Sequence, residues 1–458
     1  MGRKKFDYDL IVLGGGPAGY TAAIVAAKAK LKVAVVNNSF NKTSMSRETE
    51  VATALDFVSH YNTARIATKL GLSTASLRYN YPTNLRWRES TKRRLINSKK
   101  QLETAGVEVI VSSGNFVGEH EIAIGEQRII TGAKIIVATG ASLDTGGIAG
   151  TEEVECLDVN AALKLERLPK VVFVIGAGRR GCEATEYFAS LGAKVLIADI
   201  AGRLLPKEDE EVGQVLDYRF SKKGVKVLTQ SRVIAVTEDK MSKKVMFLRG
   251  GIEKSVRVDA VILATGLQPN TDIGLENAGV RFDLNGIKTD KHLQTNVRHI
   301  FAAGDVLKRQ DLAKKQSSIE LANYEGALAA TNAQLKKKIE VDYTGFIRTT
   351  NTEPTIATVG LTEDDCIKRD RKYKKVVVPL TVTNRAKLDD FYDGFVKIVA
   401  NSQGKILGAT IMAPGADILI QEIALAVKYG ISVAEIASTP HVALGWADIL
   451  RVAAQKLS

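Results

Sequence analysis

Cysteine is scarce in this 458-residue chain: Cys156, Cys182 and Cys366 are the only ones, and none occurs between Met1 and Glu155. Their spacing excludes a CxxC or zinc pattern, and three thiols cannot build a disulfide scaffold, so a reducing cytosol is the expected home. Long apolar runs are missing as well, and none approaches the ~20 residues needed to span a bilayer. The start, MGRKKFDYDLIV, passes from a short basic tail into a strand pattern without signal-peptide features, and Phe6 stands where a myristoylation signal wants Ser or Thr. No nucleic-acid-binding motif is present, so a nucleic-acid partner is not expected.

What is present is ordinary globular composition, 45% hydrophobic and 25% charged, at a length that calls for two to four domains rather than one core. The net charge is +13, which points toward anionic partners in general. Part of the excess lies in Arg86, Arg88, Lys92, Arg93, Arg94, Lys99 and Lys100, a segment with an amphipathic helix pattern. It reads first as a solvated helix face and second as a phosphate or membrane patch, leaving room for weak peripheral membrane contact.

One pattern occurs twice. Residues 8–37 run from an apolar stretch, YDLIVLG, through glycines to a helix pattern and a second apolar stretch, KVAVV. Residues 171–199 repeat the plan as VVFVIGAGRRG, CEATEYFASLG and KVLIAD. Strand, glycine turn, helix and parallel strand make the βαβ unit of a dinucleotide-binding fold. After a mixed, antiparallel-looking stretch, each unit is followed by a buried-strand pattern ending in Ala-Thr-Gly, at 138–140 and 264–266. The strand pattern HIFAAGDV ends on an acid, Asp305. From about residue 345 the texture changes to strand runs and two helix patterns, read as an antiparallel α+β sheet with flanking helices.

The glycines carry the chemistry. In the first fingerprint Gly14 makes the tight turn, Gly16 admits a pyrophosphate against the backbone, and Gly19 lets the helix lie close to the strand; Pro17 and Ala18 open that helix. In the second, Gly176, Gly178 and Gly181 have the same duties. An acid is expected at the end of the second strand to hold the ribose hydroxyls. Asp199 supplies it in the second unit, favouring NAD(H) over NADP(H), whereas the first unit has Asn37, a neutral and weaker acceptor. Arg203, close to Asp199, is assigned to packing or to the following LLP turn.

The ordered set GGGPAG, ATG, GAGRRGCE, LLPKEDEEV, ATGLQPNT, IFAAGDV, VGLTE, GFVKI and ILGATI resembles the pyridine nucleotide-disulfide oxidoreductases of the dihydrolipoamide dehydrogenase and mercuric reductase type, over nearly the whole chain. The resemblance implies an α/β fold with two Rossmann-like dinucleotide-binding domains and a C-terminal α+β dimerisation domain. It implies FAD on residues 1–150 and 281–340, NAD(H) on 151–280, and homodimer formation through 345–458. Thr139, Gly140 and Asp305 are then expected at the FAD, with Gly266 at the NAD. Glu183 is expected near the flavin and nicotinamide rings, its alternative being a surface acid at a helix start.

Four departures accompany the resemblance. The family's redox disulfide, a Cys-x4-Cys motif, falls by register at Ser44 to Ser46 and Thr49 to Val51, where there is no cysteine. Hydroxyl oxygens cannot cycle through a disulfide, and Cys182 reads as a small core residue rather than a substitute. Arg179 stands where the family has an aromatic or apolar residue, offering charge to a pyrophosphate or an anionic acceptor instead, and its neighbour Arg180 adds to the effect. Asn37 replaces the ribose acid. The C-terminal acid–base histidine is offset: His441 lies two positions from its usual place, Asp448 stands roughly at the acid's, and Trp446 reads as an interface or core aromatic.

The expected activity is therefore an FAD-dependent oxidoreductase that takes hydride from NADH and passes electrons from flavin to a small-molecule acceptor other than a disulfide: a quinone, a dye or oxygen. The alternatives are a soluble nicotinamide nucleotide transhydrogenase, which Asp199 disfavours, and a redox-quiet flavoprotein with a binding or sensing role.

Overall fold

The computed structural model describes residues 5–38, 44–67, 79–95, 98–126, 128–239, 242–308 and 318–458. They form two compact units: residues up to Glu50 with Glu89–Asp144 and Leu267–Tyr343, and Val51–Arg88 with Thr145–Gly266 and Thr344–Ser458.

In the first unit the valine- and isoleucine-rich runs are buried on both faces, as parallel strands require. Strands Glu108–Ile110, Val33–Val36, Tyr8–Leu13, Arg128–Val137 and Ile300–Ala302 lie side by side and parallel. The long strand Arg128–Val137 is shared: its first half pairs antiparallel with Glu121–Ile124 and its second half joins the parallel sheet. The helix Pro17–Lys28 follows the first glycine turn, and the helix Ile319–Gln334 packs on it closely. A Cβ on Gly326 would stand 2.1 Å from the Ala18 carbonyl oxygen, so only glycine allows this approach.

The second unit repeats the plan with parallel strands Lys226–Leu228, Lys194–Ala198, Val171–Ile175, Ala260–Leu263 and Leu157–Asp158. An antiparallel meander of Ser231–Asp239, Ser242–Arg249 and Ile252–Val258 intervenes before Ala260, as the mixed pattern led one to expect. From Val51 onward the helix Ser44–Ala67 belongs to this unit, with Val51, Ala54, Leu55 and Val58 in its core. The C-terminal third is the expected antiparallel sheet, of strands Ile347–Thr350, Thr355–Gly360, Ile406–Ala413, Phe395–Ala400 and Lys374–Pro379, with the helices Ala416–Tyr429 and Asp448–Leu457 beside it.

An ionic node ties the second nucleotide module to that sheet. Lys397, fully buried on its strand, meets Asp209 at 3.0 Å, Glu211 at 2.8 Å and Glu363 at 2.7 Å. The Thr410 hydroxyl donates to Asp209 at 2.6 Å, and Arg348 pairs with Glu208 alongside. Burial would lower the Lys397 pKa, but the bonds to Glu211, Glu363 and Asp209 outweigh it and raise the value instead. Burial likewise acts to raise Glu363, yet hydrogen bonds from Lys375, Lys397 and Tyr373 hold it down to about 2.

Candidate functional site

The two glycine turns are built alike, contact by contact. Gly14 has φ +108° and Gly176 +105°, conformations that disfavour any side chain. The Gly14 amide donates to the Val36 carbonyl at 2.8 Å, and that of Gly176 to Ala198 at 2.7 Å. A Cβ on Gly14 would strike the Ala138 carbonyl oxygen at 2.1 Å, and one on Gly176 that of Ala264 at 2.4 Å. A Cβ on Gly19 or Gly181 would lie 1.9 Å or 1.8 Å from the carbonyl oxygen of Gly14 or Gly176. Ala138 and Ala264 begin the two Ala-Thr-Gly segments, so each lies against its glycine turn at the carboxyl ends of the parallel strands.

Both helices that follow are open at their N-termini. Gly16 and Gly178 occupy the cap positions with extended backbone, no side chain caps either helix, and neither first turn holds an acid. Around Gly178 no atom comes within 4 Å of where a Cβ would be. Helix starts that no side chain caps, the positive end of a helix dipole and the space at Gly178 fit a pyrophosphate.

Beyond the first turn, Asn37 follows the strand Val33–Val36, and its backbone amide donates to the Ile110 carbonyl at 3.0 Å. Asp199 takes the same place in the second unit, donating to Leu228 at 3.1 Å. Its carboxylate accepts the Ala177 amide at 2.6 Å and the Ala201 amide at 2.7 Å, which holds it beside the glycine turn with lone pairs left for hydroxyls. Thr139 donates its hydroxyl to the Asn270 carbonyl at 2.8 Å, and the Asn270 side chain returns a bond to the Thr139 carbonyl. Gly140, at φ +70°, has open space where a Cβ would be. Gly304, next to Asp305, packs near the first turn of Pro17–Lys28: its Cβ would meet that of Ala18 at 3.1 Å. The Gly304 amide donates to fully buried Glu325, which also accepts from Tyr343 at 2.8 Å. Glu325, which steadies this loop, has no local sequence signal beyond an acid amid apolar helix residues.

In the second unit Glu183 is buried, not the surface acid of the alternative reading. Its carboxylate accepts the backbone and side-chain N–H groups of Asn351, each at 3.1 Å, and stands 3.6 Å from the Arg179 guanidinium. Arg180 is half-buried on the same turn, and Gly266 follows the strand Ala260–Leu263 at φ +142°. Arg203 holds the following turn through Pro206, Glu208 and Asp364, as expected of a packing residue. Cys182 donates to the Ala177 carbonyl at 3.4 Å, and burial pushes its thiol well above the usual range.

Near the C-terminus, His441 lines a cleft of about 360 Å³ with Arg385, Asp448 and Arg451. Its carboxylate partner is Glu422 at 3.2 Å, with the other ring nitrogen 2.8 Å from the Thr439 carbonyl. Asp448, in the position expected for an acid partner, pairs instead with Arg451 at 2.8 Å, one helical turn away. Trp446 is half-buried and donates to Asp389 at 3.1 Å. The side chains at 44–47, including Ser44 and Ser46, lie outside the described residues. In the second half of the cysteine window, Glu50 is buried and pairs with Lys92 at 3.3 Å.

Two dinucleotide modules of one design, followed by an antiparallel sheet, define a two-nucleotide oxidoreductase fold. Residues 8–329 match the family described as pyridine nucleotide-disulphide oxidoreductase, and residues 347–453 match its dimerisation domain. The chain belongs to this family, whose members bind FAD and use NAD(P)H. It is 30% identical to a dihydrolipoyl dehydrogenase of Bacillus subtilis, covering 96% of this chain and 94% of that one. It is also 30% identical to a mercuric reductase of Bacillus cereus, over 98% of this chain and 71% of the relative. Among solved structures, LpdA from Mycobacterium tuberculosis superposes with a TM-score of 0.86 at 26% identity, covering 98% of this chain and 99% of its own. The HOCl-induced flavoprotein disulfide reductase RclA from Escherichia coli shares the fold at 0.85 and 20% identity, over 98% of this chain and all of its own.

Proposed function

We propose that this chain is an FAD-dependent oxidoreductase that takes hydride from NADH and passes electrons from flavin directly to a small-molecule acceptor such as a quinone, a dye or oxygen. The observation that carries the reading is the absence of any cysteine before Cys156, combined with the state of the three thiols the chain has. Burial raises the pKa of each of them, so none is a ready nucleophile at neutral pH.

The first glycine turn, with Asn37, Thr139, Gly140 and Asp305, holds FAD; the second, with Arg179, Arg180, Asp199 and Gly266, holds NAD(H). FAD when bound supplies the two-electron carrier. Asp199 accepts ribose hydroxyls and repels a 2′-phosphate, which favours NADH. The open helix N-termini orient each pyrophosphate. His441, whose two neighbours Thr439 and Glu422 both accept hydrogen bonds, is the acid–base group, with Glu422 as its carboxylate. A homodimer through the C-terminal sheet completes the assembly.

The test is anaerobic addition of NADH to the purified holoprotein, followed by menadione, lipoamide or NADP+. Bleaching of the flavin band and its return with menadione are expected. Appreciable lipoamide turnover overturns the reading. Efficient NADP+ reduction moves it to a transhydrogenase, and a flavin that NADH leaves unbleached moves it to a redox-quiet binding protein.

A further inference from the structure

The helix Tyr81–Leu95 divides cleanly into two sides. Tyr81, Asn84 and Arg88 are buried, while Thr83, Arg86, Trp87, Ser90, Arg93 and Arg94 are exposed. At 3.6 residues per turn, positions seven apart come almost into line, so Arg86 sits over Arg93 and Trp87 over Arg94, about 10 Å apart along the axis. The outer stripe is thus a row of guanidinium groups with one indole and one acid, exposed Glu89, among them.

Three features set it apart from an ordinary solvated face. Arg86 and Arg94 donate to the hydroxyls of Thr83 and Thr91, at 3.0 and 3.1 Å, and neither has a carboxylate partner among the described residues. Arg93 pairs with Glu89 at 3.4 Å, but both side chains are so exposed that the pair holds weakly and exchanges readily for another anion. Trp87 is 42% exposed, and its indole N–H meets no acceptor among the described residues, whereas the chain's other tryptophan, Trp446, is half-buried and bonded to Asp389. The next helix, Ser98–Thr104, adds exposed Lys99 and Lys100.

We propose that this stripe docks on the surface of an anionic phospholipid bilayer. Arg86 and Arg94, free of acids among the described residues, suit lipid phosphates, and an indole with its ring partly in water and no acceptor for its N–H among those residues suits the headgroup boundary, where tryptophan is enriched. A nucleic acid offers the same charge, but a single narrow helical stripe with one aromatic lacks the stacking platform that single strands take. The purpose of docking rests on the proposed function, since a quinone acceptor dissolves in that bilayer; the docking itself does not.

The holoprotein is sedimented with vesicles of phosphatidylcholine alone or with about one third phosphatidylglycerol, at low and high salt. It should bind only the anionic vesicles, with release by salt and a blue shift of tryptophan emission that Trp87→Phe removes. Arg86→Gln with Arg94→Gln should weaken partitioning on the order of twentyfold, at about fivefold per arginine near an anionic surface. Lys336→Gln with Lys337→Gln, an equal change on another exposed segment, should weaken it less than threefold. The proposal is overturned by absent binding, by equal loss in both double variants, or by tighter binding to an RNA oligonucleotide at the same salt. NADH-dependent menadione reduction in solution is followed in parallel: its retention without vesicle binding sinks the docking alone, and its absence with vesicle binding sinks the catalytic reading alone.

Discussion

At Gly178 the space a side chain would take is open, while at Gly181 it is filled by the Gly176 carbonyl oxygen. Two glycines three residues apart therefore separate binding from folding. Gly178→Ala should leave the melting temperature within about 2 °C but weaken NADH binding at least tenfold, because its methyl group enters the pyrophosphate's place. Gly181→Ala should cost at least about 3 kcal/mol by denaturant unfolding, since the helix must move off the strand. An equal loss of stability in both would refute the distinction. Such residues are legible in the sequence because backbone geometry dictates them locally. His441 shows the opposite case: it lies in a loop and its partner Glu422 on the helix Ala416–Tyr429, which no local pattern links, whereas the pairing of Asp448 with Arg451 follows from their i,i+3 spacing on one helix.

Among elements, the glycine-turn strands and helices and the amphipathic 81–95 helix follow their periodicity closely. The Lys397 node was not legible, although its parts stand in the quoted motifs LLPKEDEEV and GFVKI, because its hydrogen bonds join positions as far apart as Glu211 and Lys397. Lys397→Met should destabilise the protein by about 3–5 kcal/mol, taking from Asp209 and Glu211 the cation they share and leaving Glu363 with Lys375 alone. The pH dependence has a definite sign. Glu363 sits below its ordinary 4.5 when folded, so its pairing contributes stability that is whole above pH 4.5 and lost as the pH falls toward about 2. Thermal melts of the wild type should drop over that window, and Lys397→Met should flatten the slope; an unchanged slope would speak against the node.

On the scale of the molecule, the helix Ala416–Tyr429 has two faces. Ile420, Ile423 and Ala424 pack inward, while Ile418, Leu425 and Tyr429 are 73%, 57% and 72% exposed along the opposite side. An apolar stripe of this kind is a natural subunit contact. Leu425→Glu should shift a wild-type dimer to monomer in light scattering at micromolar concentration, with the fold retained by circular dichroism; a variant that stays dimeric would place the contact elsewhere. The ionic node also bears on how members of this family can be recombined. A chimera that takes its second nucleotide module from one parent and its C-terminal sheet from another would divide Asp209 and Glu211 from Glu363 and Lys397. Such hybrids should express in soluble form only when all four positions match, which makes the crossover point a question of charge inheritance rather than of loop length.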